Sequence, residues 1–175
     1  MEPKFISFKV GIYDAISVYY YNPFIRKLIY QYKGCYDYVL CDVFLESYYN
    51  LLKMRYFDYY VIPIPSYEKD DDERGFNHVV ETYKRLGLKM LNILMKTEKH
   101  KQAISNLNQR REVYKSLAIK HRVDLRYKKV LIVDDVYTTG STMKSAINLV
   151  EKLNPRIIKV LVVAKTKPKQ TTNTN

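Results

Sequence analysis

The stretch VLIVDDVYTTGST, residues 130–142, decides the fold that this chain is expected to adopt. Its first four residues are apolar, mostly β-branched and free of polar alternation, which is typical of a strand covered on both faces in a parallel sheet. A helix is predicted to follow, because apolar residues then recur at helical spacing: Met143, Ala146, Ile147, Val150 and Leu153. The order of strand, polar loop and helix predicts an α/β domain.

Two adjacent carboxylates, Asp134 and Asp135, follow the strand at its carboxyl end. Ligands bind at this edge of open α/β sheets, because the loops diverge there and leave a crevice. Neighbouring carboxylates can accept charge-assisted hydrogen bonds from the two hydroxyls of a vicinal diol. The pair therefore predicts a sugar site.

The loop after the acids is rich in hydroxyl groups and runs into the predicted helix: Thr138, Thr139, Gly140, Ser141 and Thr142. Its glycine permits a positive φ or a close approach, and the unpaired N–H groups of a helix start attract an anion. The loop has neither the Walker ending nor the three-glycine dinucleotide pattern. Each piece alone could simply cap a turn, but their combined order favours a sugar-phosphate site.

This order of hydrophobic residues, two acids and a Thr-Gly-rich loop resembles the motif with which type I phosphoribosyltransferases bind phosphoribosyl pyrophosphate (PRPP). The resemblance implies that Asp134 and Asp135 bind the ribose 2′ and 3′ hydroxyls, and that residues 138–142 hold the 5-phosphate. It implies Mg²⁺ as cofactor, held by the two acids indirectly through PRPP. The implied fold has three layers, with a mainly parallel central sheet, helices on both faces and a small N-terminal or hood subdomain.

Further stretches are similar to the competence-protein ComF family. Residues 61–65 read VIPIP, residues 73–77 read ERGFN, and Thr97, Gln102 and Arg110 match spaced residues of that family. The likeness extends from about residue 30 to residue 165. It implies that Arg74, with its planar multi-donor head, binds the pyrophosphate, and that Gln102 and Arg110 belong to the pyrophosphate end and its hood.

The chain also departs from the ComF pattern. Members often begin with a zinc ribbon, whereas this chain has only Cys35 and Cys41, too few ligands for a structural zinc site. We therefore expect no zinc. Val113 stands where the family usually has Asn, and residues 117–118 are Leu-Ala in place of Ala-Phe. These departures concern the hood and leave the phosphate site unaffected.

Two charged segments have two interpretations each. Residues 66–77 are predicted to form a loop, whose acids are either solvated or contribute to magnesium binding through water: Asp70, Asp71, Asp72 and Glu73. A basic segment is either a mobile hood that excludes water from PRPP or a solvated helix: Lys96, Lys99, Lys101, Arg110 and Arg111.

The three histidines, His78, His100 and His121, show no ligand spacing and are predicted to lie on the surface.

The composition favours one domain, residues 1–165, followed by a polar tail, 166–175, that is expected to be disordered. No transmembrane stretch or signal peptide is recognisable, so a cytoplasmic location is expected.

The net charge of +12 fits a polyanionic partner or mere compositional drift. The 18 tyrosines could stack on single-stranded bases, although filling of core and surface is the more frequent role.

A pass along the chain predicts the other elements. Residues 16–21 could be a strand or a helix edge, residues 24–32 a helix entered through Pro23, and residues 37–53 another helix. Residues 59–64 and 157–164 are predicted to be buried strands. Strands that alternate with helices favour a largely parallel sheet.

The expected activity is that of a glycosyltransferase, in which an acceptor displaces magnesium pyrophosphate from C1 of PRPP through an oxocarbenium-like transition state. Thr138 stands where hypoxanthine-type relatives have a carboxylate, so the acceptor stays open. The alternatives are a noncatalytic PRPP-binding adaptor and a factor associated with single-stranded DNA in DNA uptake. A homodimer is possible on this sequence.

Overall fold

The computed structural model describes residues 5–97 and 117–167. Seven strands run through this part of the chain: β1 (Ile6–Val10), β2 (Tyr13–Tyr20), β3 (Tyr59–Pro63), β4 (Leu94–Lys96), β5 (Leu117–Ile119), β6 (Lys129–Tyr137) and β7 (Ile157–Lys165). Five of them form the central sheet in the order β1-β2-β7-β6-β3, and β4 pairs with β5 in a small second sheet. Only β1 is antiparallel within the central sheet of the described ranges. The predicted mainly parallel α/β fold is confirmed, as are the strands that begin at residues 59 and 157.

Helices cover both faces of this sheet: α1 (Pro23–Gly34), α2 (Tyr49–Arg55), α3 (Glu68–Arg74), α4 (His78–Lys84) and α5 (Ser141–Glu151). Helix α1 begins as predicted, since Pro23 occupies its first turn and the Asn22 side chain accepts a 2.9 Å hydrogen bond from the N–H of Ile25. The ambiguous run at residues 16–21 belongs mostly to strand β2.

The core lies on both sides of strand β6, whose four apolar residues 130–133 are completely buried. Successive side chains of a strand point to opposite faces. Leu131 and Val133 pack in the cluster that contains residues of α1, α2 and α4, whereas Val130 and Ile132 pack with residues of α5. This explains why the sequence of β6 shows no polar alternation, and it gives the domain three layers.

The prediction of one helix over residues 37–53 is wrong. Two short 3₁₀ turns, Tyr38–Cys41 and Glu46–Tyr48, precede α2, which begins only at Tyr49. The segment is rich in tyrosine, valine and aspartate, which are weak helix formers, and it contains no alanine. Cys41, Phe44 and Leu45 are nevertheless buried. Tight turns therefore bury the same apolar side chains that had predicted a helix.

The prediction of a loop over residues 66–77 is also wrong, because α3 lies within it. Three acids, Glu68, Asp70 and Asp71, occupy the first turn, and Arg74 lies in the last. Negative charge at a helix start and positive charge at its end both interact favourably with the helix dipole. Gly75 ends the helix with φ of 79°, a left-handed conformation suited to glycine. The acidic run is thus a helix start.

Tyr83 fixes α4 to the end of β6. Its side chain is 1% exposed, and its hydroxyl donates a 2.8 Å hydrogen bond to the carbonyl oxygen of Asp134 and lies 3.3 Å from that of Leu161. No helix in the described ranges is both long enough and apolar enough to cross a membrane. The anchored end of β6 carries the residues considered next.

Candidate functional site

The candidate site lies at the carboxyl ends of the parallel strands, as the sequence predicted. Both acids lie within β6, which is longer than the predicted apolar run and continues to Tyr137, and Asp134 is paired with Val162 of β7. The side chain of Asp135 is 13% exposed. A largely buried carboxylate therefore lies near this edge of the sheet.

Asp135 is held by backbone and by positive charge. Its Oδ1 accepts a 2.7 Å hydrogen bond from the N–H of Val136, and its Oδ2 lies 2.6 Å from Nζ of Lys33 and 3.6 Å from Nε2 of His78. Burial would raise the pKa of Asp135, but the interactions with His78 and Lys33 outweigh it and hold this pKa well below its usual range. Asp135 is therefore ionised at neutral pH.

One oxygen of this carboxylate keeps acceptor capacity. Oδ2 of Asp135 is buried and accepts no hydrogen bond of regular geometry from the described residues, although the Lys33 ammonium is close. A carboxylate oxygen can accept more than one hydrogen bond, so the contact with Lys33 leaves room for another donor. A sugar hydroxyl of a ligand is a suitable donor.

Asp134 has a different environment. Its Oδ1 accepts a 2.9 Å hydrogen bond from the N–H of Asp135. Burial raises its pKa well above the ordinary value, and the neighbouring charge of Asp135 raises it further. The pair thus holds one firmly ionised carboxylate and one that takes up a proton more readily, so together they can both accept and donate hydrogen bonds.

His78 is buried, at 4% exposed, so the prediction that it lies on the surface is wrong. NH1 of Arg74 lies 3.2 Å from its Nδ1. A guanidinium only donates hydrogen bonds, so Nδ1 is the acceptor and the ring proton is on Nε2, which faces Asp135. Burial lowers the pKa of His78. A neutral imidazole therefore connects Arg74 to the carboxylate of Asp135.

Arg74, predicted to bind pyrophosphate, makes its contacts inside the protein. Its side chain is 7% exposed. Nε donates to the carbonyl oxygen of Lys33 at 3.1 Å, and NH1 lies 3.0 Å from Oδ1 of Asp71. The pyrophosphate role stays a prediction, and this geometry does not favour it, because the side chain is buried and its Nε and NH1 already have partners within the protein.

The other residues of the ERGFN stretch are structural as well. Phe76 stacks on Tyr32 of α1, with ring centres 5.5 Å apart. Asn77 caps α4 by accepting a 2.9 Å hydrogen bond from the N–H of Val80, and its amide donates to Oδ2 of Asp71 at 2.7 Å. Asp71 is therefore an internal acceptor.

In the described ranges no three His, Cys, Asp or Glu side chains are grouped so that they could hold a metal ion.

The hydroxyl-rich loop forms a small open cavity at the start of α5. Gly140 is the residue before the helix, with φ of 76°, and has no side chain to cap it, although Oγ1 of Thr139 accepts a long hydrogen bond of 3.5 Å from the N–H of Ser141. Oγ1 of Thr139 and Oγ of Ser141 lie 3.1 Å apart. The cavity, lined by Asp134 and residues 136–143, has a volume of about 40 Å³. One water needs roughly 10–15 Å³, so the loop has room for a larger polar group.

A second cavity, of about 170 Å³, lies between the end of β3 and strand β4. Its lining includes Pro65, Ser66, Asp71, Asn77 and Lys96. Nζ of Lys96 lies 4.4 Å from the centre of the Tyr67 ring. Burial lowers the pKa of Lys96, whereas the charge of Asp134 acts in the opposite direction. A half-buried cation thus lies near enough to the acidic pair to interact with it.

Several predicted residues lie outside the described part of the chain: Lys99, His100, Lys101, Gln102, Arg110, Arg111 and Val113. Two residues of the site were not predicted. Lys33 belongs to no motif, and no pattern in the sequence would have revealed it. His78 directly follows the capping Asn77 and precedes two valines, so it lies in the first turn of a helix with a strong apolar pattern. That position was a usable signal of burial.

The comparisons with known proteins agree with this geometry. Residues 75–174, more than half of the chain, match the family described as the phosphoribosyl transferase domain. The chain therefore belongs to the phosphoribosyltransferase family.

Within that family the predicted likeness to ComF proteins is confirmed. The chain is 29% identical to competence protein ComFC of Streptococcus pneumoniae, over 82% of this chain and 64% of that protein. It is 32% identical to competence protein F of Haemophilus influenzae, over 60% of this chain and 49% of that one. The chain thus spans between half and two thirds of the length of these relatives. A solved purine phosphoribosyltransferase from Pyrococcus horikoshii shares 19% identity over 73% of this chain and 82% of that one, with a TM-score of 0.48.

The loop geometry makes Gly140 sensitive to substitution. A Cβ at this position would lie closer to the Tyr137 hydroxyl than van der Waals contact allows. We expect Gly140→Ala to lower the free energy of unfolding by about 1–3 kcal/mol more than Gly11→Ala, which also has a positive φ but no neighbour within 4 Å. Urea unfolding measures both. In a Tyr137→Ala background the excess should vanish, and an equal cost in both backgrounds would contradict the clash.

Burial of neutral His78 makes stability depend on pH. Its pKa in the folded protein is lowered, so the unfolded chain binds more protons below about pH 6.5, and the stability from this residue is lost as the pH falls. We expect wild type to lose more free energy of unfolding than His78→Gln between pH 7.5 and pH 5, by at most about 1.4 kcal/mol per pH unit. The exposed His121→Gln is the matched control. Equal losses in wild type and His78→Gln would refute this assignment.

Proposed function

We propose that this phosphoribosyltransferase-like protein binds PRPP with magnesium and transfers the phosphoribosyl group to an acceptor, with release of pyrophosphate. The observation that carries the proposal is the buried, ionised carboxylate of Asp135 at the carboxyl edge of the sheet, close in sequence to the hydroxyl-rich loop that lines a cavity at the start of α5. A ribose phosphate offers both complements, hydroxyl donors at one end and a phosphate at the other.

The ribose end is assigned to the acidic pair. Asp135 accepts a hydrogen bond from one ribose hydroxyl on Oδ2, and Asp134 binds the other. Hydrogen bonds with an ionised partner are stronger than neutral ones. The difference in pKa between the acids suits a diol, since each hydroxyl both donates and accepts.

The 5-phosphate is assigned to the loop at residues 138–142. The side chains of Thr138, Thr139, Ser141 and Thr142 offer hydroxyl donors, and the first N–H groups of α5 point towards the cavity side of the helix start. Gly140 keeps the backbone close to that cavity because it has no side chain. The phosphate would thereby be held without a lysine or arginine from the loop.

Magnesium fits the donor set, because carboxylates and phosphate oxygens are hard oxygen ligands. The residues that would hold it, through PRPP, are Asp134 and Asp135. When bound, the ion neutralises charge that builds on the departing pyrophosphate. The protein's own residues fix the sugar at both ends, so that an acceptor can approach C1 in line with the departing group. Thr138 has no carboxylate to act as a base, and the acceptor stays unassigned.

Calorimetric titration with Mg²⁺ and PRPP tests this function. We expect wild type to bind and Asp135→Asn to bind about 10–100-fold more weakly, because the variant offers the sugar a neutral acceptor in place of a charged one. Asp134→Asn should weaken binding in the same direction. Asp14→Asn, in the exposed ion pair with Lys9, is the control and should bind as wild type does.

Two outcomes separate the alternatives. Absence of PRPP binding by wild type would reject the site. Tight binding by wild type without pyrophosphate release, across a panel of nucleobase, amine and phenol acceptors, would instead favour the noncatalytic PRPP-binding adaptor.

A second candidate function is binding of single-stranded nucleic acid, in keeping with the competence proteins that the chain resembles. The exposed face of α1 carries Phe24 and Tyr30, 67% and 68% exposed, together with Arg26 and Lys27. Three of these residues, Tyr30, Arg26 and Lys27, line a cavity of about 500 Å³. Aromatic rings beside cations are the usual platform for unpaired bases.

Fluorescence anisotropy with a labelled single-stranded oligonucleotide checks this candidate. We expect binding that weakens steeply with salt. When Arg26 and Lys27 are both changed to Gln, the salt slope should fall by about 0.7 for each phosphate that these side chains neutralise in wild type. Lys53→Gln with Lys152→Gln removes the same charge from other exposed positions as a control. An equal effect of both double variants would reject α1 as the binding face.

A further inference from the structure

Lys33 joins the candidate site from a part of the chain that the family match does not include. It lies in the last turn of α1, whereas the match begins at residue 75. Its Nζ is 2.6 Å from Oδ2 of Asp135, and its side chain is 37% exposed. The ammonium therefore lies at the solvent-facing side of the atom that is assigned to a ribose hydroxyl.

The backbone beneath Lys33 is fixed by contacts with the ERGFN stretch and α4. Arg74 donates to the carbonyl oxygen of Lys33 at 3.1 Å. The neighbouring Tyr32 donates from its hydroxyl to the carbonyl of His78 at 2.9 Å and stacks on Phe76. The start of the side chain is thus held in place, while its four-carbon stem leaves the ammonium free to move a few ångströms.

The charge of the ligand favours a cation of the protein that can move towards it, in addition to magnesium. PRPP adds several negative charges to a site that already holds Asp134 and Asp135. Arg74 is 7% exposed and has partners within the protein. Lys33 is the described cation in contact with Asp135 that also reaches solvent. A ribose hydroxyl on Oδ2 would displace its ammonium from that atom.

We propose that Lys33 pairs with Asp135 in the free protein and transfers its ammonium to the pyrophosphate when PRPP binds. This inference rests on the proposed function. In this proposal Asp135 accepts the hydrogen bond of the 2-hydroxyl. The pyrophosphate is attached to the neighbouring C1, so the displaced ammonium is close to it. The ammonium then pairs with the pyrophosphate, and the ribose hydroxyl takes its place as the hydrogen-bond partner of Asp135.

This exchange makes Lys33 a specificity-determining residue. Ribose 5-phosphate has the same hydroxyls and the same 5-phosphate as PRPP but no pyrophosphate. Its binding separates Lys33 from Asp135 without providing a new anion for the ammonium. Lys33 therefore favours the binding of PRPP over that of ribose 5-phosphate. The acidic pair and the phosphate loop cannot provide this preference, because both ligands have the same hydroxyls and the same 5-phosphate.

Titration calorimetry with two probes, Mg²⁺-PRPP and ribose 5-phosphate, tests the exchange. We expect Lys33→Met to bind PRPP about 10-fold more weakly and ribose 5-phosphate equally or more tightly, so that the ratio of the two affinities falls by about 10-fold or more. Lys53→Met, at an exposed position in α2, is the matched control and should keep the wild-type ratio. Lys33→Gln is the second variant, should Lys33→Met not fold.

The outcomes distinguish this inference from the function on which it rests. If wild type binds neither probe, the proposed function fails first. If wild type binds PRPP but the Lys33 variants keep the wild-type affinity ratio, the exchange is overturned while the function stands. Weaker binding of both ligands by equal factors also overturns it, because Lys33 would then only support the shape of the site.

Discussion

The buried charge of Asp135 is the constraint around which the site is built. Removing an ionised carboxylate from water costs several kcal/mol unless charges and hydrogen bonds compensate for it. Strand β6 brings this carboxylate to the sheet edge, and the compensation comes from elements far away in sequence, Lys33 of α1 and His78 of α4. The packing of both helices on the same face of the sheet therefore has an electrostatic reason as well as an apolar one.

The ERGFN stretch positions the helices whose residues surround Asp135. Arg74 contacts the carbonyl of Lys33, the ring of His78 and the carboxylate of Asp71, so a single guanidinium sets the relative positions of α1, α4 and α3. Asn77 adds the cap of α4 and a second bond to Asp71. A planar donor group with fixed directions suits this task better than the flexible ammonium of a lysine. The arginine that family likeness placed on the pyrophosphate thus organises Lys33, His78 and Asp71 around the candidate site.

The sequence predicted what local patterns encode and missed what depends on distant partners. The β6 strand, its loop and α5 follow from adjacent residues, because burial on both faces and helical spacing are written in consecutive positions. The prediction of one helix over residues 37–53 was wrong because the same apolar spacing also suits short 3₁₀ turns. Helix α3 was missed because it is formed by the placement of charges and not by apolar spacing. Lys33 could not be predicted, because its role arises only when α1 packs beside β6.

The start of α5 gives the strongest physical argument that the loop has a function. Helices α1 and α4 begin with asparagine caps, each of which contributes about 1 kcal/mol. Helix α5 begins at Gly140, which has no side chain to act as a cap, and has no acid in its first turn. A chain selected for stability alone would place a polar cap there, since Ser, Thr, Asn or Asp fits most helix starts. Here a side chain at Gly140 would meet Tyr137 and fill the loop. Keeping that space open costs helix stability, and departures from local rules of this kind concentrate where a ligand binds. The start of α5 and the carboxylate of Asp135 therefore support the proposal of a single binding site, with donors for a phosphate at one end and an acceptor for a sugar at the other.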